Sequence, residues 1–312
     1  MRGWWQDLTD LVLPAECGGC GRPRTVLCPE CRVALSGAVP SRVRPVPEPV
    51  GLPVVYAAAP YEDEVRAALL AHKERGALAL AAPLGVALAG SVRAGLGHVR
   101  RPGPGGRPIA PEGRLRLGKG QLQDEGGRPG FGDGQPMSSR SGRAWQEAAA
   151  GVVRRPVLLV PVPSSRRAVR ARGHDPARRI ALAAAGELRR TGLPARVLSV
   201  LVQRRAVADQ SGLNSRQRLD NLAGALEVAA GGARLLADGG RIVLVDDLMT
   251  TGASLTEAAR AVRAAEAMAE GADLTEVTRR MVGTGEVGDT GRETICAAVV
   301  AAAPDSFEIN RN

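Results

Sequence analysis

In the second half of this chain, short apolar runs alternate with amphipathic stretches. In VVRRPVLLVPVP the apolar residues run unbroken to Val162, which predicts a strand buried on both faces. Residues 175–190 carry a helical apolar stripe through Ile180, Leu182 and Leu188, and RVLSVLVQ reads as a second strand. A polar loop, QRRAVADQSGLNSRQRLDN, leads to a short strand at 225–228. RIVLVDD is a strand bounded by turn residues, and 254–265 is a helix with Ser254 at its N-cap. Residues 266–293, rich in Gly, Glu and Thr, read as a loose insertion before a last buried strand, ICAAVVAAA. Further upstream, 54–59 is strand-like and 63–95 is a helical Ala/Leu-rich segment. Strands alternating with helices predict an α/β fold built on a parallel sheet with helical crossovers.

This pattern divides the chain. Residues 1–50 hold four of the five cysteines and end in a Pro-rich stretch, 40–53. Residues 51–100 and 152–303 form the α/β domain. Between them, 101–151 is dense in Gly and Pro; such a segment cannot bury enough apolar area to offset its ordering entropy and is predicted to be disordered.

Composition changes the picture in three ways. Hydrophobic residues make up 44% of the 312 residues but aromatics only 2%, so the core must rest on Ala, Val and Leu. With so few aromatics, a base-stacking platform for single-stranded DNA is poorly supported, and any DNA binding would be electrostatic and salt-dependent. The net charge of +10, mostly Arg, attracts nucleic acid, anionic membrane or a small phosphorylated ligand without choosing among them. No stretch reads as membrane-spanning: the most apolar one, 77–90, is short and contains Pro83. Asp7 and Asp10 interrupt the apolar run that a signal peptide needs, so a cytoplasmic protein is expected.

The cysteines form two C-x-x-C knuckles, Cys17/Cys20 and Cys28/Cys31. In a reducing compartment this spacing favours a tetrahedral S₄ zinc site over disulfides, and four thiolates with no open position make the zinc structural. Cys296, inside an apolar strand, reads as inert core. Trp4 and Trp5, beside Leu8, Leu11 and Val12, read as a small packing plug.

Residues 242–254, IVLVDDLMTTGAS, carry the chemistry. A buried strand delivers Asp246 and Asp247 to its C-terminal end, where ligands bind in open α/β sheets. Thr250, Thr251, Gly252, Ala253 and Ser254 then form a small hydroxylated turn into a helix, suited to cupping a phosphate with hydroxyls and backbone N–H groups. Carboxylates repel phosphate, so the acid pair must address something nearby: ribose hydroxyls, or a Mg²⁺. The competing reading is an ordinary strand–turn–helix with a chance acid pair. A Walker A loop is absent.

This string resembles the signature by which type I phosphoribosyltransferases bind phosphoribosyl pyrophosphate (PRPP). PVPSSRRAVRARGHD stands where those enzymes place a pyrophosphate loop, making Ser164, Arg166, Arg167, Arg170 and Arg172 candidates to hold the diphosphate; taken alone an Arg-rich loop is more often a solvated surface, and its place after a buried strand makes the two readings about even. ADQSGLNSRQRLDN resembles the mobile loop of amidophosphoribosyltransferase-like members, with Gln210, Arg216 and Arg218 as candidates. Together with DLVLPAECGGCG…LCPEC and HKERGALALAAPLG, these segments resemble the ComF family of competence-associated phosphoribosyltransferases over most of the chain. The resemblance implies a type I phosphoribosyltransferase-like sheet with an N-terminal Cys₄ zinc module. It implies PRPP and Mg²⁺ as ligands, Asp246 and Asp247 as catalytic residues, and single-stranded DNA and DNA-processing proteins as partners. The chain departs from the family where RGFNQ is replaced by RGHDP (His174, Asp175), at Val207, and in the long segments 101–143 and 266–293. His174 is a possible ligand contact, as are Lys73 and Arg75 of HKERG, which equally suit a domain interface. His72 and His98 read as surface or helix-face residues.

Overall fold

Extended apolar residues in this chain build a six-stranded sheet, in a computed structural model that describes residues 16–99, 155–205, 215–237, 240–280 and 295–307. Its strands are β1 (Ser41–Val43), β2 (Val54–Pro60), β3 (Val157–Pro161), β4 (Ala195–Val197), β7 (Arg241–Met249) and β8 (Cys296–Ala302), in the order β1-β2-β8-β7-β3-β4. All neighbours are parallel except β1, which pairs antiparallel with β2 at one edge. β5 (Leu201–Gln203) and β6 (Leu226–Val228) form a separate antiparallel pair. The central strands β3 and β8 are buried along their whole length, as continuous apolar runs require in a sheet covered on both faces. The α/β class and parallel crossovers expected from the sequence are therefore present.

Helices cover both faces: α1 (Pro29–Ser36), α2 (Asp63–Glu74), α3 (Ala81–Val99), α4 (Arg166–Arg172), α5 (Pro176–Arg190), α6 (Ser215–Leu222), α7 (Gly232–Ala237) and α8 (Ala253–Arg280). On one face α3 and α5 pack on Leu159, Val243, Val245 and Ala298; on the other α8 packs on Leu158, Val160, Leu244 and Val299. With few aromatics the layers close through small residues. A Cβ on Gly85 of α3 would lie 2.5 Å from the Cβ of Ala183 in α5, so that glycine sets the helix–helix distance. α3 lies in the one described stretch long and apolar enough to cross a membrane, Leu78–Gly97 with mean hydropathy 1.5, and 61% of it is buried, as in a core helix.

Several sequence expectations change. The helical segment 63–95 is two helices, because Gly76 at φ +70° ends α2 in the left-handed conformation that glycine tolerates best. RVLSVLVQ is two strands: Leu198 N–H still bonds Leu159 in the main sheet, whereas the Val200 carbonyl accepts from Ala229 in the small one. Leu182 is 48% exposed, and the buried stripe of α5 runs instead through Ile180, Ala181, Ala184, Ala185 and Leu188. The insertion expected at 266–293 is helical as far as Arg280, since one Gly and no Pro interrupt the Ala- and Glu-rich stretch from 254 to 280. β1, from the Pro-rich stretch, is an edge strand, the place in a sheet where flanking prolines are tolerated. The segment 101–151, Trp4 and Trp5, and Gln210 lie outside the described residues.

Candidate active site

β3 and β7 lie side by side, yet the chain leaves them on opposite faces, toward α5 after β3 and toward α8 after β7. Where crossovers part in this way, a crevice opens beyond the C-terminal ends of the strands. Here it is a cleft of about 750 Å³, a size suited to a small organic ligand. Its walls come from the residues after β3, the residues after β7, Lys73 of α2, and Gln203, Leu222 and Leu226 from the β5–β6 segment. Glu257 fixes that last wall: nearly buried in α8, it accepts from Leu226 N–H at 2.9 Å and pairs with Arg260, which donates to the Leu226 carbonyl at 2.8 Å.

Asp246 and Asp247 line the floor. As consecutive strand residues they point to opposite faces of the sheet. The N–H of Asp247 donates to Asp246 Oδ1 at 2.8 Å. Burial, and then the neighbouring Asp247, push the Asp246 carboxyl well above the usual range, with Lys73 opposing. Asp247, whose side chain is only 8% exposed, is held by the Lys73 ammonium at 2.9 Å from Oδ2. Burial works against the charge on Lys73, but Asp247 and Asp246 outweigh it and keep its pKa above the ordinary value.

At one end of the cleft stand Thr250 and Ser254. The Gly252 carbonyl accepts from Thr256 N–H at 2.9 Å, so α8 starts at Ala253 and Ser254 sits in its first turn rather than at the N-cap. Gly252 has φ +75°, and a Cβ there would lie 3.0 Å from Leu52. Its need for glycine is thus set by backbone conformation and by packing on the N-terminal segment. Ala253 is buried against Leu222 and Ala225, and neither it, Gly252 nor Thr251 lines the cleft.

At the other end, the segment expected to be an Arg-rich loop is the helix α4, capped by Ser165, whose hydroxyl accepts from Ala168 N–H at 3.1 Å. Helical periodicity sorts its arginines. Arg167 and Arg172 line the cleft together with Ser164 and Ser165, whereas Arg166 and Arg170, one turn apart and exposed, do not. Arg172 is steadied by Glu74 at 3.4 Å. Asp175 anchors the segment, accepting from Ser164 N–H at 3.2 Å and, as N-cap of α5, from Arg178 N–H at 3.0 Å. In the β5–β6 segment Arg216 is exposed and lies off the cleft; Arg218 donates to Thr250 Oγ1 at 3.4 Å instead.

His72 is no surface residue: it is fully buried, its ring centroid 5.5 Å from that of His174. His174 lies between two carbonyls, with Nδ1 3.1 Å from Arg172 O and Nε2 3.1 Å from His72 O, and so ties α2 to the turn after α4. The side chain of His98 lies outside the described residues. Burial lowers the His72 pKa below its ordinary 6.5, helped by His174 and Arg179 and opposed by the Ala77 carbonyl and Asp247. A depressed pKa means that the stabilising neutral form is fully present above 6.5 and is lost as pH falls through the folded value. The melting temperature is expected to drop as pH is lowered from 7 toward 5.5, and His72→Leu to flatten that drop; equal slopes in both proteins would refute it.

The cysteine cluster lies at the other end of the chain's first half. The sulfurs of Cys17, Cys20, Cys28 and Cys31 all lie within 4.8 Å of one another, with Cys20 and Cys28 at 3.6 Å. The edge of a tetrahedral ZnS₄ centre is about 3.8 Å, so the four could hold a metal such as zinc. Burial opposes ionisation of Cys17, but backbone N–H groups of Cys20, Cys28 and Gly19 outweigh it and bring its thiol to about 6. Cys17, Cys28 and Cys31 belong to the same apolar core as Leu80 and Leu84, so the cluster braces the sheet's helical layer. Cys296 is buried in β8, and burial raises its thiol to about 11.

No protein-family model matches the chain, and no curated protein matches it.

Proposed function

We propose that this chain binds PRPP in the cleft between β3 and β7 and transfers its phosphoribosyl group with release of pyrophosphate. The observation that carries the reading is that one cleft brings together the acid pair, the hydroxyls of Thr250 and Ser254, and Arg167 and Arg172 with Ser164. A ribose carrying a monoester on one side and a diphosphate on the other needs all three kinds of group around it. The sheet order and the crossover reversal at β3/β7 are compatible with the type I phosphoribosyltransferase arrangement that the sequence resembles.

In this reading Thr250 and Ser254 receive the 5-phosphate, aided by the N-terminus of α8. Asp246 and Asp247 accept from the ribose 2- and 3-hydroxyls. Arg167, Arg172 and Ser164 hold the diphosphate. An acceptor nucleophile bonds to C1 as the C1–O bond breaks and pyrophosphate leaves with the electron pair. Positive charge developing on the ring falls beside the carboxylates, which stabilise it. Carboxylate oxygens are the ligands Mg²⁺ prefers, so Asp246 and Asp247 would be the residues to hold one, and it would supply charge neutralisation for the diphosphate. The four cysteines would hold a structural zinc, which has no part in this chemistry.

Calorimetric titration of the full chain with PRPP and Mg²⁺ is expected to show one site per chain, and pyrophosphate release is expected once a nucleophilic acceptor is supplied. Saturable binding with no release across nucleobases, ammonia and water would replace transfer by a non-catalytic PRPP-binding role. No binding at all would end the reading.

A further inference from the structure

Lys73 and Lys119 are the only lysines among the chain's 42 basic residues. In so Arg-dominated a sequence, the Lys73 ammonium stands beside the acid pair of the cleft. It sits 2.9 Å from Asp247 Oδ2, within the field of Asp246, and lines the cleft that Arg167 and Arg172 also line. Arg172 acts on it in the opposite sense, repelling its charge. Lys73 therefore lies between the acid pair and the arginines of α4.

Its backbone is firmly anchored, and its ammonium is held only by the acid pair. The last turn of α2 is held by His174 on the His72 carbonyl, by Arg172 on Glu74, and by Arg75, which donates to the Ala67 carbonyl at 3.4 Å. The side chain of Lys73 is 35% exposed, and its four-carbon stem lets a compact point charge swing by several ångströms.

We propose that Lys73 is a transferable counter-ion: it neutralises Asp247 in the free cleft, and moves to the ligand's diphosphate once ribose hydroxyls or a divalent cation take its place on the acid pair. This rests on the reading of the cleft as a ribose–diphosphate site and adds to it a residue on α2, outside both loops that frame the ligand. The swap is chemically balanced. The acids lose one cation as they gain another partner, and the diphosphate gains a cation beside Arg167 and Arg172, removing the repulsion among them. It also makes occupation of the two ends of the cleft interdependent, because a partner on Asp247 is what frees Lys73 for the anion.

The test uses two simple probes on the full chain, inorganic pyrophosphate and Mn²⁺ alone, with Lys73→Met, Lys73→Gln and Lys73→Arg. Lys73→Met and Lys73→Gln are each expected to weaken pyrophosphate about tenfold, the loss of one charge-assisted contact. Both are expected to tighten Mn²⁺ about tenfold, because the competing ammonium is gone from Asp247. Lys73→Arg, which keeps the charge, should stay within about threefold of wild type for pyrophosphate. The proposal is overturned by an unchanged pyrophosphate affinity in the neutral variants, by an unchanged Mn²⁺ affinity, or by a wild-type protein that binds no pyrophosphate. Should wild type refuse PRPP while both shifts appear, the transferase reading fails and the counter-ion role stands. Lys73→Gln retains a hydrogen-bonding group for Asp247, so it decides the matter if Lys73→Met does not fold.

Discussion

Asp246→Asn is expected to raise the melting temperature of the free protein while weakening its affinity for PRPP at least about tenfold. The Asp246 carboxyl is driven upward in pKa by burial and by Asp247. A raised folded pKa contributes stability that is present below the ordinary 3.8 and is lost as pH rises through the folded value, so the ionised form of Asp246 is a cost to the fold. Asn has the same shape, can still accept from Asp247 N–H, and has no proton to lose. Binding moves the other way. A carboxylate accepting from a sugar hydroxyl contributes about 1.5–3 kcal/mol, roughly a factor of 10–150, and the charge that meets the developing ribosyl cation is gone as well. Asp247→Asn should lose affinity to a similar degree but melt at a lower temperature, because it leaves the Lys73 ammonium without the partner now 2.9 Å away. Combined, the two substitutions should cost more than about a thousandfold in PRPP affinity by calorimetry. Opposite stability shifts with a shared loss of binding are the signature of a site strained for function. A double variant that binds PRPP within tenfold of wild type would remove the acid pair from the site.

That the two acids lie toward the C-terminal end of a strand was legible in the sequence, because the apolar run of β7 changes polarity abruptly at Asp246, although the strand itself continues to Met249. Thr250, Ser254, Ser164, Arg167 and Arg172 were legible as candidates for the same reason: each follows a recognisable buried strand. What could not be read was which members of a cluster face inward. α4 has no buried residue, so RRAVRAR shows no apolar stripe to betray its helix, and the division of Arg167 and Arg172 from Arg166 and Arg170 stayed hidden. Lys73, His72 and Asp175 owe their roles to partners brought in by tertiary folding. HKERG marks a basic segment, but nothing local says that its ammonium lands on Asp247. The break in RVLSVLVQ is of the same kind, since the residues suit either sheet and only the available edges decide where the chain crosses over. Glu, Gly and Thr, counted together, signal a loop, and so the sequence shortens helix α8 to 254–265. Its Ala and Glu residues are good helix formers, and one glycine costs only about 1 kcal/mol.

Loss of the metal at the cysteine cluster is expected to unfold more than the cluster. The native chain should carry one zinc by elemental analysis, and Cys28→Ser should carry none. The cluster does not stand apart from the domain: Cys17, Cys28 and Cys31 share a core with Leu27, Leu35, Leu80 and Leu84, and Cys28 is fully buried. Without a cation, four thiols crowded within 4.8 Å cannot ionise together, and Cys31 is already pushed upward by burial and by the thiols of Cys28, Cys20 and Cys17. Metal binding would therefore be coupled to folding of the segment that covers α2 and α3. The backbone is shaped for it as well. Cys28 N–H points at Cys17 Sγ at 3.3 Å, and a Cβ on Gly19 would lie 2.7 Å from Cys31 Sγ, so Gly19→Ala should also lower metal content. Cys28→Ser is expected to cost more than about 4 kcal/mol in global stability, the range reached when a structural metal is lost. Cys296→Ser, which touches no member of the cluster, should keep its zinc. Because Cys20 is the exposed member, a strong chelator should reach the site from that side and reproduce the Cys28→Ser melting curve in the wild-type chain. A chain that loses its metal and still melts within a degree or two of native would mean that the cysteines decorate the core rather than hold it.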